Sequence, residues 1–145
     1  MLQDLQAKLS VAQALTATAD STNYYDTLSD YDISRGEPLG LVVTVVAAAD
    51  TASGNETYSF ALETDDNSSF SSGTILASKT IAGADLTTGS VHVIPFHAAN
   101  AERYLQGTYT LGGTTPSVTV TAELKALSDV STWTSNQPSG YTVNF

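Results

Sequence analysis

The run SVTVTAELKA, residues 117–126, constrains the fold of this chain more than any other stretch. Val118, Val120, Ala122 and Leu124 alternate with Thr119, Thr121, Glu123 and Lys125. Successive Cβ atoms of a strand point to opposite faces, so a period of two marks a strand with one face on a core and the other in water. Glu123 and Lys125 are accordingly expected on the wet face. The rhythm recurs where Tyr58, Phe60 and Leu62 alternate with Thr57, Ser59, Ala61 and Glu63, and where Leu105, Tyr109 and Leu111 share one face of residues 103–111. LGLVVTVVAAA, residues 39–49, is apolar without alternation, which predicts a strand covered on both sides. Residues 14–26, 75–81 and 91–96 also read as extended, with Pro95 placing the last at a sheet edge or near a strand end because proline has no N–H for a ladder.

One helical spacing stands apart. Leu2, Leu5, Leu9 and Ala12 lie three or four residues apart, as in a short amphipathic helix or a docking arm. About seven or eight short strands separated by turn signals, with no βαβ rhythm, predict an all-β fold: an antiparallel, jelly-roll-like β-sandwich. Residues 1–13 form its N-terminal arm or short helix, 14–126 the sandwich, and 127–145 an extended C-terminal arm, mostly polar from residue 128 on but carrying Trp133 and ending in Tyr141, Val143 and Phe145.

Charge and composition narrow the function. Fifteen acidic and five basic residues give a net charge of −10, and the cations are scattered, so phosphate backbones are repelled and nucleic acid is not an expected partner. With no cysteine there is no disulfide, thiol nucleophile or Cys-ligated zinc. No run approaches the roughly 18 apolar residues of a membrane span, and MLQDLQAKLS lacks the charged and apolar regions of a secretory signal, so synthesis in the cytoplasm and no membrane are expected.

Candidate chemistry concentrates in ETDDNSSF, residues 63–70, which places three carboxylates, an amide and three hydroxyls before an aromatic ring. An EF-hand loop beginning at Asp65 would have Asn67 and Ser69 as further ligands, but Phe70 stands where glycine is required and Leu76 where glutamate is required. A looser calcium site from Asp65 and Asp66 and a glycosidase pair from Glu63 and Asp66 stay open beside a turn, which Asp, Asn and Ser form by capturing backbone N–H groups. The turn is the preferred reading, with Phe70 plugging the loop onto the core. His92 and His97 are five apart with no third histidine or cysteine to complete a zinc site. There is no G-x-S-x-G, P-loop or G-x-G-x-x-G, and neither catalysis nor a cofactor is expected. Tyr24, Tyr25 and Tyr31 cluster near acids, as core packing, a sugar-stacking platform or a protein interface would each allow.

The order of segments adds to this reading. MLQDLQAKLSVAQALTATADSTNYYD, DISRGEPLGLVVTV, LETDDNSSFSSGTIL, RYLQGTYTLGGTTPSVTVTAEL and PSGYTV, in that order, resemble the small capsid cement (decoration) proteins of tailed bacteriophages, the family typified by the Bordetella phage cement protein. The chain departs from that pattern at NYYDTLSDYD and at ALSDVSTWTSNQ. The resemblance implies a jelly-roll-like sandwich, a virion location on the capsid exterior, and a homo-oligomer that clamps neighbouring major capsid protein subunits; it favours a dimer over a trimer. Candidates for capsid or subunit contact are the amphipathic start (Leu2, Leu5, Leu9), the aromatic patch (Tyr24, Tyr25, Tyr31) and the tail (Trp133, Tyr141, Phe145). The competing reading is a carbohydrate-binding β-sandwich module on a virion surface.

Overall fold

The computed structural model describes residues 7–28, 38–128 and 130. Eight strands follow one another: β1 (Lys8–Leu15), β2 (Ala19–Asp26), β3 (Leu39–Ala47), β4 (Thr57–Asp65), β5 (Thr74–Ile81), β6 (Val91–Phe96), β7 (Tyr104–Gly112) and β8 (Val118–Ala126). They form two four-stranded sheets in the orders β1-β8-β3-β6 and β2-β7-β4-β5, called sheet A and sheet B below. Every pairing is antiparallel. The pairs β1·β8, β2·β7, β3·β6 and β4·β5 are the rungs of one long antiparallel ribbon, and rolling that ribbon up brings β8 beside β3 and β7 beside β4. This is the jelly roll, and its two edges per sheet are what such a double-sheet fold has to protect.

The alternation read from residues 118–125 is what builds the interior. Val118, Val120 and Ala122 of β8 are buried with Leu41, Val43 and Val45 of β3, facing Tyr58, Phe60 and Leu62 of β4 and Leu105, Tyr109 and Leu111 of β7. β3 is covered on both sides over its first half, where Val42, pointing away from that interior, is only 3% exposed; its unbroken apolar run predicts the same cover to the end, but Val46 is 45% exposed. Part of its cover is the chain leaving β8. The Leu127 N–H donates to the Pro38 carbonyl at 3.0 Å. A Cβ at Gly40 would come within 2.8 Å of the Leu127 side chain, so glycine there is what lets Leu127 close down on the sheet. The expected wet face of β8 is corrected accordingly: Glu123 is only 9% exposed and forms an ion pair with Lys125 at 2.9 Å. β6, with Pro95, is an outer strand of sheet A as expected, and β5 at the edge of sheet B carries the exposed Lys79.

The start of the chain differs from the helical expectation. Residues from Lys8 onward are strand, paired with β8, so the sandwich begins within the segment assigned to an arm. The register slips between Lys8 and Ser10 and again between Ser10 and Gln13, and Ala12 has φ +46°. Each bulge inserts a residue and resets the in–out alternation. Leu9, Ser10 and Leu15 thereby all face inward while Val11 and Ala12 face out, so Ala12 does not share the face of Leu9 as a helix would require. Inside, the Ser10 hydroxyl meets the Tyr109 hydroxyl at 2.7 Å, linking the two sheets across 99 residues of sequence.

Candidate functional site

The residues with surface character gather at one end of sheet B, on the face away from the core. β2 ends there at Asp26 and β7 begins there at Tyr104, and these two residues are register partners. Arg103 donates to both oxygens of Asp26, from Nε at 2.9 Å and Nη2 at 3.1 Å, the two-pronged geometry that orients as well as attracts. Asp26 Oδ1 also accepts the Leu28 N–H at 2.8 Å. The Arg103 guanidinium, and secondarily the Leu28 amide, hold the Asp26 carboxyl below its usual range. The backbone N–H of Thr27 donates to the Arg103 carbonyl at 2.9 Å, so the exit of β2 is tied to the entry of β7.

An aromatic cluster rests on this frame. Arg103 lies 5.0 Å above the Tyr104 ring, a cation–π contact. Tyr24 meets Tyr104 edge-on at 5.6 Å and Phe70 at 6.2 Å, both T-shaped. Tyr24 remains 48% exposed and Leu28, at φ +69°, 77% exposed. Thr22, Asn23, Tyr24, Asp26 and Leu28 line an open groove of about 460 Å³.

Phe70 is delivered by the loop that follows β4. The Asn67 N–H donates to Asp65 Oδ1 at 3.0 Å, the Ser69 N–H to Asn67 Oδ1 at 2.9 Å, and the Ser72 N–H to Asp65 Oδ2 at 2.8 Å. These are the side-chain-to-backbone bonds of an Asx-built turn, the form preferred for ETDDNSSF. The Ser72 amide, with further help from the Asn67 amide, keeps the Asp65 carboxyl below its ordinary range, against the opposing effect of burial. The other half of the expectation is corrected: Phe70, at φ +51°, meets Tyr24 on the outer face and is not a core plug. Asp65 lies in register with Tyr104, so its loop springs from the outer side of the sheet. One carboxylate oxygen each from Asp65, Asp66 and Glu102 lie within 4.8 Å of one another. Thr64 joins the two segments that carry them, accepting the Glu102 N–H at 2.8 Å and donating to the Tyr104 carbonyl at 2.9 Å.

Glu63 and His92 have structural partners. Glu63 Oε2 accepts from Gln106 Nε2 at 2.8 Å and Thr108 Oγ1 at 3.1 Å, so it braces β4 against β7. His92 Nε2 lies 3.1 Å from the Ser90 hydroxyl and 3.2 Å from the Asp85 carbonyl. A carbonyl only accepts, so that nitrogen is the donor and is not a base toward Ser90.

The candidate contact residues divide in three. Tyr24 is outward and in the cluster. Tyr25, its neighbour on the opposite face of β2, is half-buried and packs against the core, whereas Leu9 is fully buried, which corrects Leu9 as a surface contact. Leu2, Leu5, Tyr31, Trp133, Tyr141 and Phe145 lie outside the described residues. Leu28, Arg103 and Tyr104 were not singled out from sequence, and Phe70 was singled out only as a core plug. The parity of Tyr104 against Leu105 was the available signal for one of them; the Asp26–Arg103 pairing spans 77 residues and had none.

No curated protein matches the chain. The Bbp16 family model matches residues 9–134, from the second residue of β1 to beyond the end of β8. With the match running across all eight strands, the chain belongs to the Bbp16 family, whose name is that of a Bordetella phage protein.

Proposed function

We propose that this protein is a non-catalytic structural component of a phage virion: a cement protein on the exterior of the icosahedral head that clamps neighbouring major capsid protein subunits and stabilises the mature shell. The observation that supports it is the outward cluster at the end of sheet B. Tyr24 and Leu28 hold apolar area in water on a domain whose core is already filled from both sheets. Exposed aromatic and aliphatic groups of that kind mark a binding surface.

The mechanism is linkage. A protein that binds only where two capsid subunits are in their mature arrangement stabilises that arrangement by mass action. A micromolar contact contributes about 8 kcal/mol at a 1 M standard state, and a homodimer engaging two subunits gains further through effective concentration. Negative charge fits the outer side of the shell, away from DNA.

The test is to add the purified protein to empty heads of the phage that carries it and image them by electron cryomicroscopy. Density at contacts between capsomers, with a raised melting temperature of the shell, is the expected result; bare heads at saturating protein overturn the reading. One observation favours a second reading. The groove beside Tyr24 joins an aromatic ring to the polar side chains of Thr22, Asn23 and Asp26, the combination a sugar ring stacks on. Saturable binding on a glycan array together with bare heads would put carbohydrate recognition in place of cement.

A further inference from the structure

We infer that the end of sheet B around Tyr24 and Leu28 is the face that meets the capsid, and that it takes a cationic segment presenting an apolar side chain rather than a second copy of this protein. The inference rests on the cement reading and adds to it the face used and the chemistry of what docks there.

Leu28 is the first reason. It is 77% exposed at a positive φ that leucine adopts only under constraint. The constraint is visible: Asp26 Oδ1 holds its N–H, Arg103 holds Asp26 from both sides, and the Arg103 carbonyl holds Thr27. The backbone that carries this leucine is thus held in place, so a partner docking on it has less backbone ordering entropy to overcome. Tyr24, braced edge-on by Tyr104 and Phe70, supplies a rigid apolar neighbour across the groove.

Charge supplies the second reason and selects the occupant. On the Phe70 flank Asp66 is exposed and Glu102 half-buried, beside a fully buried Asp65 whose oxygens accept the Asn67 and Ser72 amides. The local cation, Arg103, is engaged with Asp26. A lysine or arginine arriving with the partner is drawn to this acidic flank of a chain with net charge −10 as the apolar groups close, which favours encounter as well as the final complex. A second copy brings the same carboxylates and the same net charge of −10 to the contact, and like charges facing one another disfavour it. Dimerisation of this chain therefore uses a different face.

Heads stripped of this protein are the probe, with binding followed by co-sedimentation between about 50 and 500 mM NaCl, a range across which the Debye length falls severalfold. Leu28→Glu and, separately, Tyr24→Ser are expected to weaken binding about tenfold or more, the size of a loss at a central interface residue. The double substitution Asp66→Asn/Glu102→Gln is expected to weaken it severalfold and to flatten its salt dependence. Ile75→Ser, on the exposed edge strand β5, is expected to bind as wild type. Analytical ultracentrifugation should give Leu28→Glu and wild type the same oligomeric state. Wild type on heads with Leu28→Glu and the double substitution binding equally well overturns this inference and leaves the cement reading standing. So does a Leu28→Glu protein that falls from dimer to monomer. Wild type that leaves heads bare overturns both.

Discussion

Sheet B carries two aromatic clusters back to back, built from the same chemistry with opposite consequences. Phe60 and Tyr109 meet edge-on at 5.6 Å on the inner face, and Tyr24 and Tyr104 meet edge-on at 5.6 Å on the outer face. The inner rings are fully buried, and the Tyr109 hydroxyl is bonded to Ser10 of the other sheet. The outer rings leave Tyr24 half in water, next to an exposed leucine. An aromatic pair is thus a stability element or a binding element according to strand parity alone. The inner pair removes apolar area from water during folding, whereas the outer pair retains area to bury later.

Four substitutions probe that contrast. Phe60→Ala should be the most damaging, since it opens a cavity between the sheets; a loss of about 3–5 kcal/mol in urea unfolding is expected. Gly107→Ala follows. A Cβ there would lie within 2.7 Å of the Tyr109 hydroxyl, so the ring must move and its bond to Ser10 suffers. Overpacking of this kind costs about 1–3 kcal/mol. An unchanged denaturation midpoint would mean that the inner ring is not held in place.

Tyr109→Phe removes only the inter-sheet hydrogen bond, about 1 kcal/mol. It also has a pH signature. Burial pushes the Tyr109 hydroxyl up to about 12 from an ordinary value of 10.0, partly offset by its bond to Ser10. Because the folded state resists ionisation, the stability of the wild type is whole below pH 10 and declines as pH rises toward about 12. The phenylalanine variant should lose that part of the alkaline decline, measured as denaturation midpoints across the range. Smallest of all, Tyr24→Ala should cost no more than about 1 kcal/mol of folding stability, the size of its edge-on contacts. A Tyr24→Ala loss as large as that of Phe60→Ala would abolish the distinction between the clusters.

How far the fold could be read from the sequence depended on the regularity of each strand. β8, β4 and β7 kept their alternation, so their inward residues were legible, and Pro95 correctly marked an edge. β1 was misread because two bulges break the period on which strand reading relies. The Asx bonds of the 65–72 loop were foreseeable because they join near neighbours in the chain. The direction of Phe70 was not, because it depends on which face of sheet B the loop leaves. Tyr24 and Tyr25 pose the same problem more sharply. Adjacent tyrosines must point to opposite faces of a strand, and only pairing with β7 decides which one points into the core.

The sequence by itself determined the class of fold, the composition of the core and the net negative charge. Periodicity and charge are properties of neighbours along the chain, and they survive without knowledge of what packs against what. Tertiary structure decided which strands pair and which of two adjacent tyrosines reaches water. It also joined Asp26 to Arg103 and Ser10 to Tyr109, pairs separated by 77 and 99 residues. Those choices arise from rolling one antiparallel ribbon into two sheets, where register is set by the burial of every strand at once.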